Sequence, residues 1–212
     1  MDQLIQGRVR VSPGTAIAAP DQPARVLGLF EGWAVRLLDL GPRFGRQVTE
    51  VLLPGDLLSL DSVLHGTPVR RVETVTAATV VRYGPLDAAA LRVGSQELAE
   101  ALLALLARRL ARAEAMLANL GRRDAVERTG WLLLDIVTRL EARGLSQGGW
   151  CPFPLRRHHL ADALGLSPTH VTRTTQELAT RNLARLGDGF LTLLDRDGLD
   201  ALSGYGNVPD RD

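Results

Sequence analysis

The chain of 212 residues has no lysine: all 25 of its basic side chains are arginine, as a GC-rich coding bias would produce. It has one cysteine, Cys151. That excludes an internal disulfide, a four-thiolate zinc site and an iron–sulfur cluster held by the cysteines of one chain. No stretch approaches the roughly 18 uninterrupted apolar residues of a membrane span. The start, Met1-Asp2-Gln3, lacks the basic-then-apolar layout of a secretion signal, so a cytoplasmic protein with no membrane partner is expected. Histidine is scarce where an enzyme would need it. Residues 1–120 hold only His65, with no His-x-His or His-x-x-x-Glu pair. A metal-dependent barrel enzyme wants about three converging His or carboxylate ligands, so neither catalysis nor a metal is expected. Net charge is nearly absent too: 25 basic against 24 acidic groups leave +1, which as a total argues against a nucleic-acid binder.

What is present is a chain 45% hydrophobic and 23% charged, long enough for one large domain or two ordinary ones. Up to about Tyr83 it is rich in Val, Thr and Leu. Turn signals recur every ten or so residues: Ser12-Pro13-Gly14, Glu31-Gly32, Gly41-Pro42, Pro54-Gly55-Asp56 and Gly66-Thr67-Pro68. Short antiparallel strands in a sandwich or barrel are expected. Alternation in Trp33-Ala34-Val35-Arg36-Leu37 and in Val72-Glu73-Thr74-Val75-Thr76 predicts one buried face on each. From Asp87 to Leu120 the chain turns to Ala, Leu, Arg and Glu without proline, a long helix. Leu98, Leu102, Leu106, Ala113, Leu117 and Leu120 form its apolar stripe, which fits either an intramolecular core helix or, the reading preferred because a helix this long has little to cover at its far end, a two-stranded dimer seam. After Gly121 comes a separate helical module that opens on an amphipathic helix, Thr129 to Arg143, closed by Gly144.

The stretch from Leu155 to Leu178 carries the chemistry. Leu160 and Leu164 form an apolar pair, and Gly165 supplies the left-handed residue that ends a first helix. Ser167 caps a second, with Pro168 at its first position, and Val171 and Leu178 point inward. This is a helix-turn-helix pattern, whose second helix enters the major groove of DNA. Thr169, His170, Thr172, Arg173 and Gln176 are the candidates for base edges. Arg173 has the geometry for two hydrogen bonds to the O6 and N7 of guanine. Arg156, Arg157, Ser167, Arg181, Arg185 and Thr192 are the candidates for phosphate contact, while His158 and His159 read as solvated first-helix residues rather than metal ligands. Leu183 to Leu194, broken by Gly187-Asp188-Gly189, reads as a hairpin, the wing that lies along the phosphate backbone.

Leu160-Ala161-Asp162-Ala163-Leu164-Gly165-Leu166-Ser167, then His170-Val171-Thr172-Arg173-Thr174, and the Phe30-Glu31-Gly32-Trp33 and Leu53-Pro54-Gly55-Asp56 turns resemble the Crp/Fnr family of bacterial transcription regulators. The likeness runs over nearly the whole chain. It implies an α+β architecture: a β jelly-roll sensor at 1–86, a dimerisation helix at 87–120 and a winged helix-turn-helix domain at 121–212. It implies a homodimer on a pseudo-palindromic operator of double-stranded DNA, with RNA polymerase as a further partner and a small-molecule effector of unknown identity. A ligand-independent regulator, whose β-domain is a structural or protein-contact module, stays open beside it. Ser59-Leu60 stand where cyclic-nucleotide binders of the family carry Gly-Glu, and Arg70-Arg71 replace their Arg-Ser, so no cofactor of that kind is expected. His65 is the one candidate for a haem ligand in this region.

The charge total also hides a division. Residues 121–186 carry 10 Arg and 6 acids, a local +4, whereas residues 187–212 carry 2 Arg and 6 acids, a local −4. The objection to DNA binding from net charge falls, and the acidic tail is expected to lie away from the phosphates.

Overall fold

The structure is a computed structural model that describes residues 5–19, 26–60, 70–83, 96–146 and 148–206. His65, the helix expected from Asp87 to Ser95 and the last residues of the acidic tail lie outside these. The chain divides into two compact units, Met1–Ala107 and Arg108–Asp212.

The first unit holds β1 (Ile5–Val11), β2 (Ala16–Ala18), β3 (Leu27–Glu31), β4 (Ala34–Asp39), β5 (Arg46–Leu52), β6 (Arg71–Thr74) and β7 (Ala78–Tyr83). They form two antiparallel sheets, ordered β1-β7-β3 and β2-β6-β4-β5. Ala18, Leu27, Leu29, Ala34, Leu52, Leu58, Val72, Ala78 and Val80 bring side chains from both sheets into one core, the sandwich expected from the turn spacing. Gly32 holds β3 and β4 together at a φ of +87°, where a Cβ would stand 2.5 Å from the Ala77 carbonyl oxygen.

The strand β6 alternates as expected, but β4 does not. Ala34, Val35, Arg36 and Leu37 are all buried. The strand is central in its sheet, between β6 and β5, with Ala34 in the sandwich core beside Leu58 and Arg36 reaching the Leu58 carbonyl, while Val35 and Leu37 on the alternate face are buried as well. Arg36, 2% exposed, is tolerated there because Nε donates to Glu50 Oε2 at 3.0 Å and Nη1 to the Leu58 carbonyl at 2.8 Å.

The long helix is present as α1 (Gln96–Arg122), among whose first turns the expected stripe is misplaced. Leu102 is buried in a cluster with Val26 and Leu60, and Leu98 packs against that same cluster. These two leucines therefore belong to the core of the β-unit and not to a free seam. The exposed leucines of α1 are Leu103 (66%), Leu110 (61%) and Leu117 (71%), with Leu105 and Leu106 less so. The apolar surface left uncovered lies one residue around the helix from the expected stripe at its N-terminal end.

The second unit opens on α2 (Ala125–Glu141), whose buried side is Trp131, Leu132, Leu133, Leu134, Ile136, Val137 and Leu140. It starts four residues before the expected Thr129. Asp124 Oδ1 accepts the backbone N–H groups of Val126 and Glu127, and Glu127 Oε2 accepts that of Asp124, a complete capping box. The rest comprises β8 (Trp150–Pro152), α3 (Arg157–Leu164), α4 (Pro168–Thr180), β9 (Ala184–Gly187), β10 (Phe190–Leu193) and α5 (Arg196–Ser203). The expected wing is the β9–β10 hairpin: Gly187 pairs with Phe190, and Asp188 (φ 54°) and Gly189 (φ 80°) make the two-residue turn. Two elements carry no clear pattern in the sequence: β8, which adds a third strand beside β10, and α5. Arg196 clasps α5 to α2 through both oxygens of Glu141, at 2.9 and 2.8 Å, and through Thr138 Oγ1 at 3.0 Å.

Candidate nucleic-acid interface

The turn between α3 and α4 is built as its residues dictate. Gly165 sits at φ 64°, ψ 36°, and its N–H donates to the Ala161 carbonyl, ending α3. Ser167 Oγ then accepts the His170 N–H at 3.2 Å, and Pro168 occupies the first position of α4. Val171, Thr174 and Leu178 are buried against α2 and α3. Thr174 and Thr129 share a buried hydroxyl–hydroxyl hydrogen bond of 3.0 Å, which fixes the rotation of α4 about its axis. Arg128, not among the expected site residues, donates to the Leu164 carbonyl at 3.2 Å and the Arg123 carbonyl at 2.8 Å, and so ties the end of α3 to α2. Nothing in its spacing distinguishes it from a solvated arginine.

With one side of α4 sealed, Thr169, His170, Arg173 and Gln176 are exposed. Arg157, Pro168, Thr169, Thr172, Arg173 and Gln176 border one shallow groove, so the first residue of α3 and the outer face of α4 share a surface. Of the five base-edge candidates only Thr172 departs from full exposure. It is half-buried, and its hydroxyl donates back to the Pro168 carbonyl at 3.1 Å.

The phosphate candidates divide. Arg156, Arg157 and Arg185 are exposed, Arg185 on the wing strand opposite the half-buried Thr192. Ser167 has its oxygen engaged as the cap, and Arg181 is ion-paired with Glu177 one turn earlier. His159 Nδ1 accepts the Arg156 N–H at 3.0 Å, and the exposed His158 ring lies 3.9 Å from it, centroid to centroid. Their near neighbourhood is a helix start, and among the described residues no three His, Cys, Asp or Glu side chains come together as metal ligands do. Beside the wing, Trp150 and Phe190 stack at 4.4 Å, both part-exposed.

A capped helix whose outer face is polar, a glycine turn, an arginine-bearing hairpin and a sheet domain define a winged helix-turn-helix regulator joined to a β-sandwich. The comparisons with known proteins agree. Residues 127–202 match the Crp-like helix-turn-helix domain family. The nitrogen fixation regulation protein FixK of Bradyrhizobium diazoefficiens is 30% identical over 198 residues, 92% of this chain and 81% of that protein. The transcriptional regulatory protein btr of Bordetella pertussis is 28% identical over 210 residues, 96% of this chain and 84% of its own length. The solved structure of FixK2 from Bradyrhizobium japonicum superposes with a TM-score of 0.80 at 26% identity, covering 92% of this chain and 96% of that one. The chain belongs to the Crp/Fnr family and is a DNA-binding transcription regulator of that type.

Proposed function

We propose that the protein acts as a homodimer on a pseudo-palindromic operator, one α4 in each of two adjacent major grooves about one helical turn apart. The observation that carries this is the division of α4 itself. Val171, Thr174 and Leu178 are sealed, while Thr169, His170, Arg173 and Gln176 stand exposed beside Arg157. Arg173 reads a guanine edge, and Arg156, Arg157 and Arg185 hold the backbone. Ser167 and Thr192 serve first as cap and strand residue, and Arg181 must leave Glu177 to reach a phosphate.

The dimer is supported by α1. Leu103, Leu106, Leu110, Ala113, Leu117 and Leu120 follow one another at alternating spacings of three and four, the a and d positions of a coiled coil. Leu106, Ala113, Leu117 and Leu120 are kept from the sequence expectation, and Leu103 and Leu110 replace Leu98 and Leu102. In this frame Arg109 and Glu114 flank the seam at g and e, so a parallel partner sets opposite charges facing across it. The division of labour follows: residues 1–86 for signal or partner, 87–120 for pairing, 121–212 for DNA. A cytoplasmic regulator without catalytic activity fits this arrangement.

In the β-unit, Ser59 Oγ accepts the Leu27 N–H at 3.2 Å, and Leu60 is packed with Val26 and Leu102. The positions that would hold a cyclic nucleotide are spent on the core, which supports a regulator that senses something else or nothing.

Binding measured on a selected palindrome and on random duplex tests the reading. Arg173→Ala should lose roughly 1–3 kcal/mol of discrimination at one base pair per half-site. Arg185→Ala should weaken all sequences alike and lower the salt slope by about 1. Equal losses on both duplexes for the Arg173 variant would remove its base-reading role. Protein purified without any added effector should still reach full affinity only if the regulator is ligand-independent.

A further inference from the structure

Thr169, Thr172, Arg173 and Gln176 are neighbours on α4 at spacings of three and four, and with Arg157 and Pro168 they border one groove. Thr172 differs from the others in what it has left to offer. Its hydroxyl donates to the Pro168 carbonyl oxygen one turn back, at 3.1 Å, and the residue is half-buried. A helical threonine bonded to the i−4 carbonyl has its polar branch laid along the helix wall. The other branch on the same carbon is the γ-methyl. Thr175 makes similar back-bonds, to the Val171 and Thr172 carbonyls at 2.9 and 3.0 Å, but it does not border the groove. Thr172 is therefore the threonine that combines an occupied hydroxyl with a place on the groove.

The major groove has one matching feature. Among the four bases, thymine alone carries a methyl group there, and apolar contact from a small side chain is how it is told apart. We propose that Thr172 reads a thymine through its γ-methyl group, in the same half-site as the guanine read by Arg173. The inference rests on α4 being the base-reading helix, and it assigns to Thr172 a specificity carried by shape rather than by hydrogen bonding. Serine in its place would keep the back-bond and lose the contact. Valine would do the reverse.

The experiment uses the full-length protein and its selected operator duplex, with each thymine of the half-sites replaced in turn by deoxyuridine, which lacks only the 5-methyl group. For the unaltered protein one such replacement per half-site should weaken binding about four-fold, the effect of one buried methyl-sized group. Thr172→Val should retain that penalty in full, and Thr172→Ser should abolish it while binding the thymine and deoxyuridine duplexes equally. A Ser variant that still pays the deoxyuridine penalty, a Val variant that loses it, or a selected half-site in which no thymine methyl matters would each overturn the proposal while leaving α4 as the reading helix. A protein with no preference among duplexes would overturn the base-reading role of α4 and this proposal together. Both substitutions fall on the half-buried face of the helix, and unchanged thermal unfolding of the two variants keeps the comparison on binding.

Discussion

The ten arginines of residues 121–186 look alike in a charge count and do different work in the fold. Arg123 donates to the Ser203 and Gly204 carbonyls, holding the end of α5. Arg128 caps α3, Arg139 pairs with Asp135 at 3.4 Å, and Arg181 pairs with Glu177. On the α3–α4 and wing side Arg156, Arg157, Arg173 and Arg185 are exposed, as is Arg181 beside its Glu177 partner. The local excess of positive charge was legible in the sequence; which arginines present it was not, because a guanidinium satisfies a buried carbonyl as readily as it meets a phosphate. Cys151 shows the same dependence on surroundings. It is 0% exposed, and its thiol is pushed up from 9.0 to about 11, chiefly by burial and then by the nearby Glu141 carboxylate. The folded thiol therefore holds its proton where the unfolded one has released it, and stability is lost as pH rises from about 9 toward 11. Chemical denaturation followed across that window should show a falling midpoint for the natural protein and a flatter one for Cys151→Ala. A thiol reagent at neutral pH should leave the native protein unlabelled, and rapid labelling without denaturant would contradict the burial.

At the scale of elements, boundaries followed local chemistry where two signals agreed and drifted where one did not. The α3 and α4 limits were readable because Gly165, Ser167 and Pro168 each demand one position. The apolar run of α2 begins near Thr129, whereas the helix begins four residues earlier, where Asp124 and Glu127 satisfy the first N–H groups. Asp124→Ala should destabilise the second unit by about 1 kcal/mol, seen as a lower melting temperature, and Asp124→Ser should recover most of it. An Asp124→Ala protein with an unchanged melt would mean that the box contributes nothing. The strand β8, three residues long and holding Trp150, Cys151 and Pro152, had no alternation to reveal it; it exists because β10 offers it a partner. The strand β4 erred in the opposite direction. Its alternation is real in the sequence, but a strand covered on both faces buries its polar member too, and Arg36 is held there by Glu50 and a backbone carbonyl.

For the whole molecule, the leucines of α1 serve two masters. Leu102 closes the β-unit against Val26 and Leu60, while Leu103, Leu110 and Leu117 remain exposed on the same helix. Two substitutions separate the roles. Leu102→Ala should cost roughly 2–5 kcal/mol of folding stability and leave association intact. Leu110→Asp should yield a folded monomer by sedimentation equilibrium, with operator affinity lost through the missing second half-site. If Leu110→Asp stayed dimeric, the seam would lie elsewhere. The β-sandwich, the long helix and the winged module were all legible in order along the chain. So was most of the outer face of α4: Thr169, His170, Arg173 and Gln176 are exposed, and Thr172 is half-buried.

The sequence by itself determined the order of textures, the exclusion of an internal disulfide, the turn that sets α3 against α4 and the residues available on α4. These follow from backbone conformation and periodicity, which neighbouring residues impose on one another. Only the tertiary structure decided which leucines of α1 are consumed by the β-unit, which arginines are spent on carbonyls and carboxylates, and that the hydroxyl of Thr172 is already bonded. Those outcomes depend on partners distant in the chain, or on how one rotamer shares a helix wall, and neither composition nor spacing carries that information.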